Sequence, residues 1–263
     1  LKICCLVKEV PDAAVQKRID PETKRLDRSG EKNLNPFDTH ALEEAMQIRE
    51  GGAVQVDEIV AVTMGPESAQ RALHKAVALG ADRSVHLTDP ALAGSDVNAT
   101  GYALAQVLKA EQPDLVLLGQ QSDDGECYTI GAVVADHLQM PSLTQVINIE
   151  VADGKLVCER QAEYGYDTVE VELPAVISVG DAINEPRYPS LKAIMGAKKK
   201  PLDTKAAADV GIDPSQVGEE GSKTRVLAIN PPPAKEPGEI IEDEDTNETV
   251  EKIVAWLEER KLI

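Results

Sequence analysis

The sequence predicts a doubly wound α/β domain, a mostly parallel sheet with helices on both faces. Three observations predict it: short apolar runs alternate with helical patterns, Gly and Pro punctuate them, and the apolar residues are aliphatic rather than aromatic. Hydrophobic residues make up 42% of the chain and aromatic residues only 3%, so the core must rest on Val, Ile, Leu and Ala, the usage of parallel strands buried under helices. A length of 263 residues allows one large domain or one domain with appendages.

The elements follow in order. Residues 2–7 read as the first strand. Asn35-Pro36-Phe37-Asp38 opens a helix, with Asn35 as N-cap and Pro36 at the first position, where its fixed φ fits and its missing N–H is not needed. Ala41, Leu42, Ala45, Met46 and Ile48 continue that helix and Gly51-Gly52 ends it. Residues 59–64 form the second strand, 68–79 a helix, 84–87 the third strand, 96–111 a helix, and 115–118 a fully apolar fourth strand. A Gly-flanked loop then leads into a helix predicted from Cys127 to Leu138.

After residue 140 the period changes to two. Residues 145–151, 155–160 and 168–172 alternate apolar and polar, with Asp153-Gly154 as a hairpin turn, and 175–179 is a further buried strand. Residues 1–183 thus read as one α/β domain, expected to be a nucleotide-binding one, with 184–191 a Pro-bearing loop and 192–200 a short basic helix. Residues 201–238 are rich in Pro, Ala and charge, and Pro231-Pro232-Pro233 cannot join a helix or a sheet centre, which predicts an extended arm. Asp245-x-x-Glu248 resembles a capping box before a last helix with Val250, Ile253, Val254 and Leu257 on one face. The 201–263 segment is expected to dock on another chain, the alternative being that it packs on its own domain.

Composition excludes several function classes. With 27 basic and 46 acidic residues the formal charge is −19, which repels phosphate backbones and argues against nucleic-acid binding. No apolar stretch approaches the ~20 residues of a membrane span, and the start, Leu1-Lys2-Ile3-Cys4, enters a strand directly, so a cytoplasmic chain without membrane insertion is expected. Cys4, Cys5, Cys127 and Cys158 form no Cys-x-x-Cys pair and read as buried, reduced thiols. His40, His74, His86 and His137 lack metal-ligand spacing and read as surface or helix-cap residues. The acidic runs at Asp123-Asp124 and Glu242-Asp243-Glu244-Asp245 read as solvated loops rather than cation sites. No Gly-x-Ser-x-Gly occurs, and the whole argues for a binding module more than a catalyst.

In a doubly wound sheet, ligands bind outside the carboxyl ends of the strands, where strand order reverses. Residues 6–8, 63–66 and 119–126 should converge there, the last leading into a helix whose free N–H groups could hold a phosphate. There is no Gly-x-Gly-x-x-Gly after the first strand and no Walker-type Gly-Lys-Thr, so a bound nucleotide would be held by a different loop logic.

The motifs carry a resemblance. Lys8-Glu9-Val10-Pro11-Asp12, Asn35-Pro36-Phe37-Asp38, Leu79-Gly80-Ala81-Asp82-Arg83, Asp114-Leu115-Val116-Leu117-Leu118-Gly119 and Leu173-Pro174-Ala175-Val176 resemble those of electron-transfer flavoprotein beta subunits. Most specific is Asn184-Glu185-Pro186-Arg187-Tyr188-Pro189-Ser190-Leu191, running into Ile194-Met195-Gly196-Ala197-Lys198-Lys199-Lys200. The resemblance implies an electron carrier that is not itself an enzyme. It implies a heterodimer with an alpha subunit holding most of a redox FAD, and an AMP buried in this subunit. It also implies flavin dehydrogenases, such as acyl-CoA dehydrogenases, and a quinone oxidoreductase as redox partners.

Carried over by motif, the implied cofactor contacts are Leu6, Asn35, Pro36, Phe37, Asp38, Met64, Asp124, Gly125, Glu126, Cys127, Tyr128, Thr129, Ile130, Gly131, Ala132, Val133, Val134 and Ala135, with Gly131 admitting the phosphate. The implied partner-recognition residues are Tyr188, Leu191, Ile194 and Met195. The last loop departs from the AMP-type pattern Asp-Asp-Asp-Cys-Asn-Gln-Thr-Gly. Asp124-Gly125-Glu126 and Val10-Pro11-Asp12 lean towards electron-bifurcating relatives, which place a second FAD in this cavity and take hydride from NADH. Residues 184–191 lean towards the plain carrier. A nucleotide sensor related to universal stress proteins shares the sheet type but explains neither that loop nor the arm.

Overall fold

A computed structural model describes residues 1–152, 154–230, 233, 238, 240 and 245–263. They form two compact units, Leu1–Leu227 and Ala228–Ile263. Asp153 of the expected hairpin turn, Pro231 and Pro232 of the proline run, and Glu242, Asp243 and Glu244 of the acidic run lie outside the described residues.

The first unit opens with β1 (Lys2–Leu6), whose last four residues are buried. Two three-residue strands, β2 (Glu9–Pro11) and β3 (Lys32–Leu34), then pair antiparallel as a separate ribbon. They were not anticipated, because three residues are too few to show a period. Next come α1 (Pro36–Gly51), β4 (Glu58–Met64), α2 (Gln70–Leu79), β5 (Arg83–Leu87), α3 (Val97–Glu111) and β6 (Leu115–Gly119). Each lies within about two residues of its sequence-predicted range. The physical signals were strong: β6 is buried throughout, Asp96 caps α3 by accepting from Ala99 N at 2.9 Å, and Gly52 takes the left-handed conformation that ends α1.

Then follow α4 (Ile130–Leu138), β7 (Ser142–Ala152), β8 (Lys155–Ala162), β9 (Gly165–Glu172), β10 (Ala175–Val179), α5 (Leu191–Ala197), β11 (Leu202–Lys205) and the one-turn α6 (Gly218–Gly221). The sheet order is β11-β5-β4-β1-β6-β10-β7-β8-β9, parallel except for the β7-β8-β9 meander at one edge. From β1 the chain proceeds through β4 and β5 in one direction, then returns to β6 and β10 on the other side. The order therefore reverses between β1 and β6.

Three expectations are corrected. Residues 202–205, assigned to an extended arm, form β11 and pair in parallel with β5, so the first unit runs on to Leu227. A polar four-residue edge strand carries no apolar run by which sequence could reveal it. The helix predicted from Cys127 starts three residues later, at Ile130, because Glu126 and Tyr128 adopt positive φ values of 45° and 58° that no helix accommodates. His86 is not a surface residue: it is fully buried on β5, with Nε2 3.1 Å from the Gly65 carbonyl, and burial pushes its pKa down.

In the second unit, α7 (Thr246–Glu259) is capped by Asp245, which accepts from Asn247 N at 2.8 Å. Among the described residues no helix is long and apolar enough to cross a membrane.

Candidate functional site

The turn entering α1 organises the switch point. Asn35 precedes Pro36 as expected, yet its side chain does not cap the helix. Its Nδ2 instead donates to Asp38 Oδ1 at 2.9 Å and to the Gln121 carbonyl at 2.8 Å, while its Oδ1 accepts from Asp123 N at 3.0 Å. Asn35 thus ties the start of α1 to the loop after β6. Asp38 completes the tie between strands: Oδ2 accepts from Lys8 N, just past β1, at 2.8 Å, and Oδ1 from Gly119 N, at the end of β6, at 3.3 Å. Burial pushes the Asp38 carboxyl up to about 7, against the opposing pull of the Asn35, Lys8 and Gly119 donors. Gly119 is required by sterics, since a Cβ there would lie 2.5 Å from the Phe37 carbonyl carbon and 2.8 Å from Asp38 Oδ1.

Beside this staple opens a cavity of about 490 Å³. Its floor is apolar, built by Leu6, Val62, Met64, Leu104, Leu118 and Ile130. One end is polar, formed by Lys8, Arg28, Ser122 and Gly125. Asp124 stands behind that end, its side chain inaccessible to solvent, with Oδ1 2.7 Å from Lys8 Nζ and Oδ2 2.7 Å from Arg28 Nη2 and 3.1 Å from its Nε. Burial alone would raise the Asp124 pKa, but the charges and hydrogen bonds of Lys8 and Arg28 outweigh it and hold the carboxyl below the usual range. The acidic loop is therefore not simply solvated.

The far wall comes from the start of α3 and from a late segment. Asp96 Oδ2 accepts from Lys223 N, Thr224 N and Thr224 Oγ1 at 2.8, 2.8 and 2.9 Å, and Val226 reaches the cavity.

Of the sequence-predicted cofactor residues, Leu6, Asn35, Asp38, Met64, Gly125, Cys127, Tyr128 and Ile130 line the cavity. Phe37 and Asp124 sit behind it, and Pro36, Glu126, Thr129 and Ala132 are exposed away from its lining. Gly131, Val134 and Ala135 face the core: a Cβ on Gly131 would meet Leu118 of β6 at 3.4 Å, so the close approach there is helix to strand. Val133 packs against Gly101 of α3. Cys127 is exposed at the cavity, whereas Cys4, Cys5 and Cys158 are buried, the Cys4 thiol being pushed up to about 12 by burial. Sequence reasoning missed Arg28, Ser95, Asp96, Thr100 and Val226, which no local motif flags.

The four sequence-predicted recognition residues lie together on the surface, at and after a loop pinned to α1. Asn184 Nδ2 donates to the His40 carbonyl and to Glu44 Oε2, both at 3.1 Å, and Arg187 pairs with Glu43 and Glu50. Beyond these anchors Tyr188 is 96% exposed, Leu191 80%, Met195 77% and Ile194 48%.

Sheet order, switch-point cavity and strand-end staple define a doubly wound α/β protein with a ligand-sized crevice at the carboxyl ends of its strands. Comparison with known proteins narrows this. The model of the electron transfer flavoprotein domain matches residues 23–210. The chain is 40% identical to the electron transfer flavoprotein subunit beta of Mycobacterium bovis over 265 aligned residues, covering 99% of both chains. It is 40% identical to the protein of the same name from Thermoanaerobacterium thermosaccharolyticum, covering all of both. It is 37% identical, again over both full lengths, to the caffeyl-CoA reductase-Etf complex subunit CarD of Acetobacterium woodii. The chain belongs to the electron transfer flavoprotein family, as a beta subunit. The family is one of flavin-containing electron carriers, and a beta subunit implies an alpha partner.

Proposed function

We propose that this beta subunit, joined to its alpha partner, shuttles electrons from flavin dehydrogenases of the acyl-CoA type to an acceptor such as a quinone oxidoreductase. The observation that carries the reading is the exposed cluster of Tyr188, Leu191, Ile194 and Met195 on a pinned loop and helix. Large apolar side chains held outward in one group suit a partner pocket, and a loop stiffened by Pro186, Pro189 and the Arg187 contacts loses little entropy on docking.

FAD at the interface with the alpha subunit supplies the redox chemistry. This chain's residues hold, orient and present rather than make or break bonds, and electron tunnelling, which falls steeply with distance, rewards such positioning. The cavity at the switch point fits an AMP of structural role. Its apolar floor suits a planar base, and the first-turn N–H groups of α4 lack intrahelical partners. The second unit, with Val250, Ile253 and Val254 along one face of α7, supports a docking role on the alpha subunit.

A second reading places a second FAD in this cavity, in a heterodimer that oxidises NADH. Asp124-Gly125-Glu126 and the similarity to a subunit of a caffeyl-CoA reductase-Etf complex favour it. Extracting the purified heterodimer and counting cofactors separates the two. One FAD and one AMP per dimer supports the carrier; two FAD without AMP supports the second reading.

A further inference from the structure

Between β2 and β3 the chain makes an excursion, residues 12–31, that reaches both rims of the cavity. At the loop after β6, Lys17 Nζ pairs with Asp123 Oδ2 at 3.0 Å and Arg28 Nη2 with Asp124 Oδ2 at 2.7 Å. At the opposite wall, Arg25 Nη2 donates to the Gly94 carbonyl at 3.3 Å and Lys24 Nζ to the Leu227 carbonyl at 2.7 Å. Gly94 adjoins Ser95, Leu227 adjoins Val226, and the two aspartates lie between Ser122 and Gly125, all cavity-lining neighbours. No residue from 12 to 31 is buried, so polar contacts rather than apolar packing hold the excursion down. It is bonded to itself as a hairpin: Asp20 N donates to the Arg25 carbonyl at 2.9 Å and Asp27 N to the Arg18 carbonyl at 2.8 Å. Its base is fixed differently. Pro11 and Leu34 are buried, and Glu9, nearly inaccessible, pairs with Lys32 at 3.1 Å and accepts from Ser68 Oγ at 2.7 Å.

We propose that residues 12–31 are a lid that swings on the β2-β3 ribbon and gates entry to and exit from the cavity. The inference rests on reading the cavity as a nucleotide site. A segment with little buried apolar surface opens at low free energy, and exposed ion pairs are individually weak clasps. The internal hairpin bonds survive such an opening, so the lid moves as one piece about a joint that its buried base keeps in place. Arg28 is the one clasp that also lines the cavity. When it withdraws, Asp124 keeps its pair with Lys8 at 2.7 Å and is not stranded as a lone buried charge. Lys17, Lys24 and Arg25 do not line the cavity, so they hold the lid without touching what lies beneath it. Loosening them shifts the balance of open and closed by the same factor with or without ligand. Entry and exit must then quicken together, leaving affinity as it was.

The test measures AMP binding and release by the purified heterodimer, in wild type and in the triple variant Lys17→Gln, Lys24→Gln, Arg25→Gln. Release is followed by chasing labelled AMP with unlabelled, and entry by adding AMP to nucleotide-stripped protein. Each lost clasp should speed both rates about two- to threefold, and the triple variant about tenfold, with the equilibrium constant moving less than about twofold. Lys17→Arg, which keeps the pair with Asp123, should stay near wild type. Melting temperatures show whether the triple variant is folded. Should it not be, salt on wild type gives the same reading, because screening of the exposed clasps should quicken release. Unchanged rates in the folded variant, or release from wild type that is indifferent to salt, overturn the lid alone. Weaker affinity with an unchanged entry rate also overturns it, since these residues would then be ligand contacts. Wild type that binds no AMP overturns the nucleotide reading and this inference with it.

Discussion

Arg187 holds Glu43 by a fork, with Nε 2.7 Å from one carboxylate oxygen and Nη2 2.9 Å from the other, while its Nη1 reaches Glu50 at 2.6 Å. Glu43 is nearly inaccessible and Arg187 only partly so. Burial would raise the Glu43 pKa, and the Arg187 bonds keep it low. Arg187→Ala should therefore leave a buried, unpaired carboxylate and cost about 1–3 kcal/mol, read by denaturant unfolding. An unchanged unfolding midpoint would show that the fork is decorative.

Leu191→Ala should remove one exposed anchor and nothing internal. Burying a Leu against a partner contributes about 1.5–3 kcal/mol, so docking should weaken about ten- to hundredfold. Electron transfer from a verified acyl-CoA dehydrogenase should slow accordingly, with FAD content, nucleotide content and melting temperature unchanged. Transfer at the wild-type rate would remove Leu191 from the docking surface.

Gly119→Ala should be more harmful than Gly131→Ala. The first puts a methyl group 2.5 Å from backbone between β6 and α1, which cannot yield cheaply; the second puts it 3.4 Å from the Leu118 side chain, an ordinary contact. A loss of about 1–3 kcal/mol for Gly119→Ala, against little change for Gly131→Ala, is expected from thermal unfolding. Gly131→Val should crowd Leu118 and lower stability first, with nucleotide loss as a consequence. Equal effects of the two Ala variants would contradict the placement of the strand-end staple.

Asp38 makes stability depend on pH in a defined direction. Its folded pKa, about 7, stands above the roughly 3.9 of an unfolded Asp, chiefly through burial. The folded state then binds more protons than the unfolded state between about pH 4 and 7. Its contribution to stability accordingly falls as pH rises through that window and is levelled above it. Asp38→Asn should abolish this component, so the stability difference between wild type and variant should change between pH 5 and pH 8. A constant difference would mean that Asp38 is ionised throughout.

Two truncations should separate the units. Ending the chain after Leu227 keeps every described residue that lines the cavity, so nucleotide should be retained while association with the alpha subunit weakens. Ending it after Gly221 also removes the Lys223 and Thr224 donors to Asp96 and the side chain of Val226, and nucleotide retention should fall too. If the shorter chain holds nucleotide as well as the longer, residues 222–227 do not belong to the site.

Much of this architecture was legible because burial writes itself into composition. Strands β1, β4, β6 and β10 are apolar runs that only a covered sheet accommodates, and Asp96 and Gly52 mark helix ends by side-chain and backbone chemistry. The edge strand β11, Leu-Asp-Thr-Lys, carries no such mark. The late start of α4 depends on left-handed backbone at Glu126 and Tyr128, residue types that do not announce it. At the site, the loops that converge could be read from strand order, whereas Arg28, Asp96 and Val226 arrive through packing between segments far apart in sequence. Asn35 shows the limit most clearly. Its position before Pro36 was legible, but its side chain serves a distant loop instead of its own helix.

Helix α1 carries Asn35 and Asp38 at its entrance and Glu43, the residue gripped by Arg187, five positions beyond Asp38. At 1.5 Å per residue that separation is about 7.5 Å along one axis. The staple at the crevice and the anchor of the exposed loop therefore belong to a single rigid rod. Their spacing is dimensioned by backbone hydrogen bonds, not by the drift of a linker, so any tilt of the rod at one end must be felt as a lever stroke at the other.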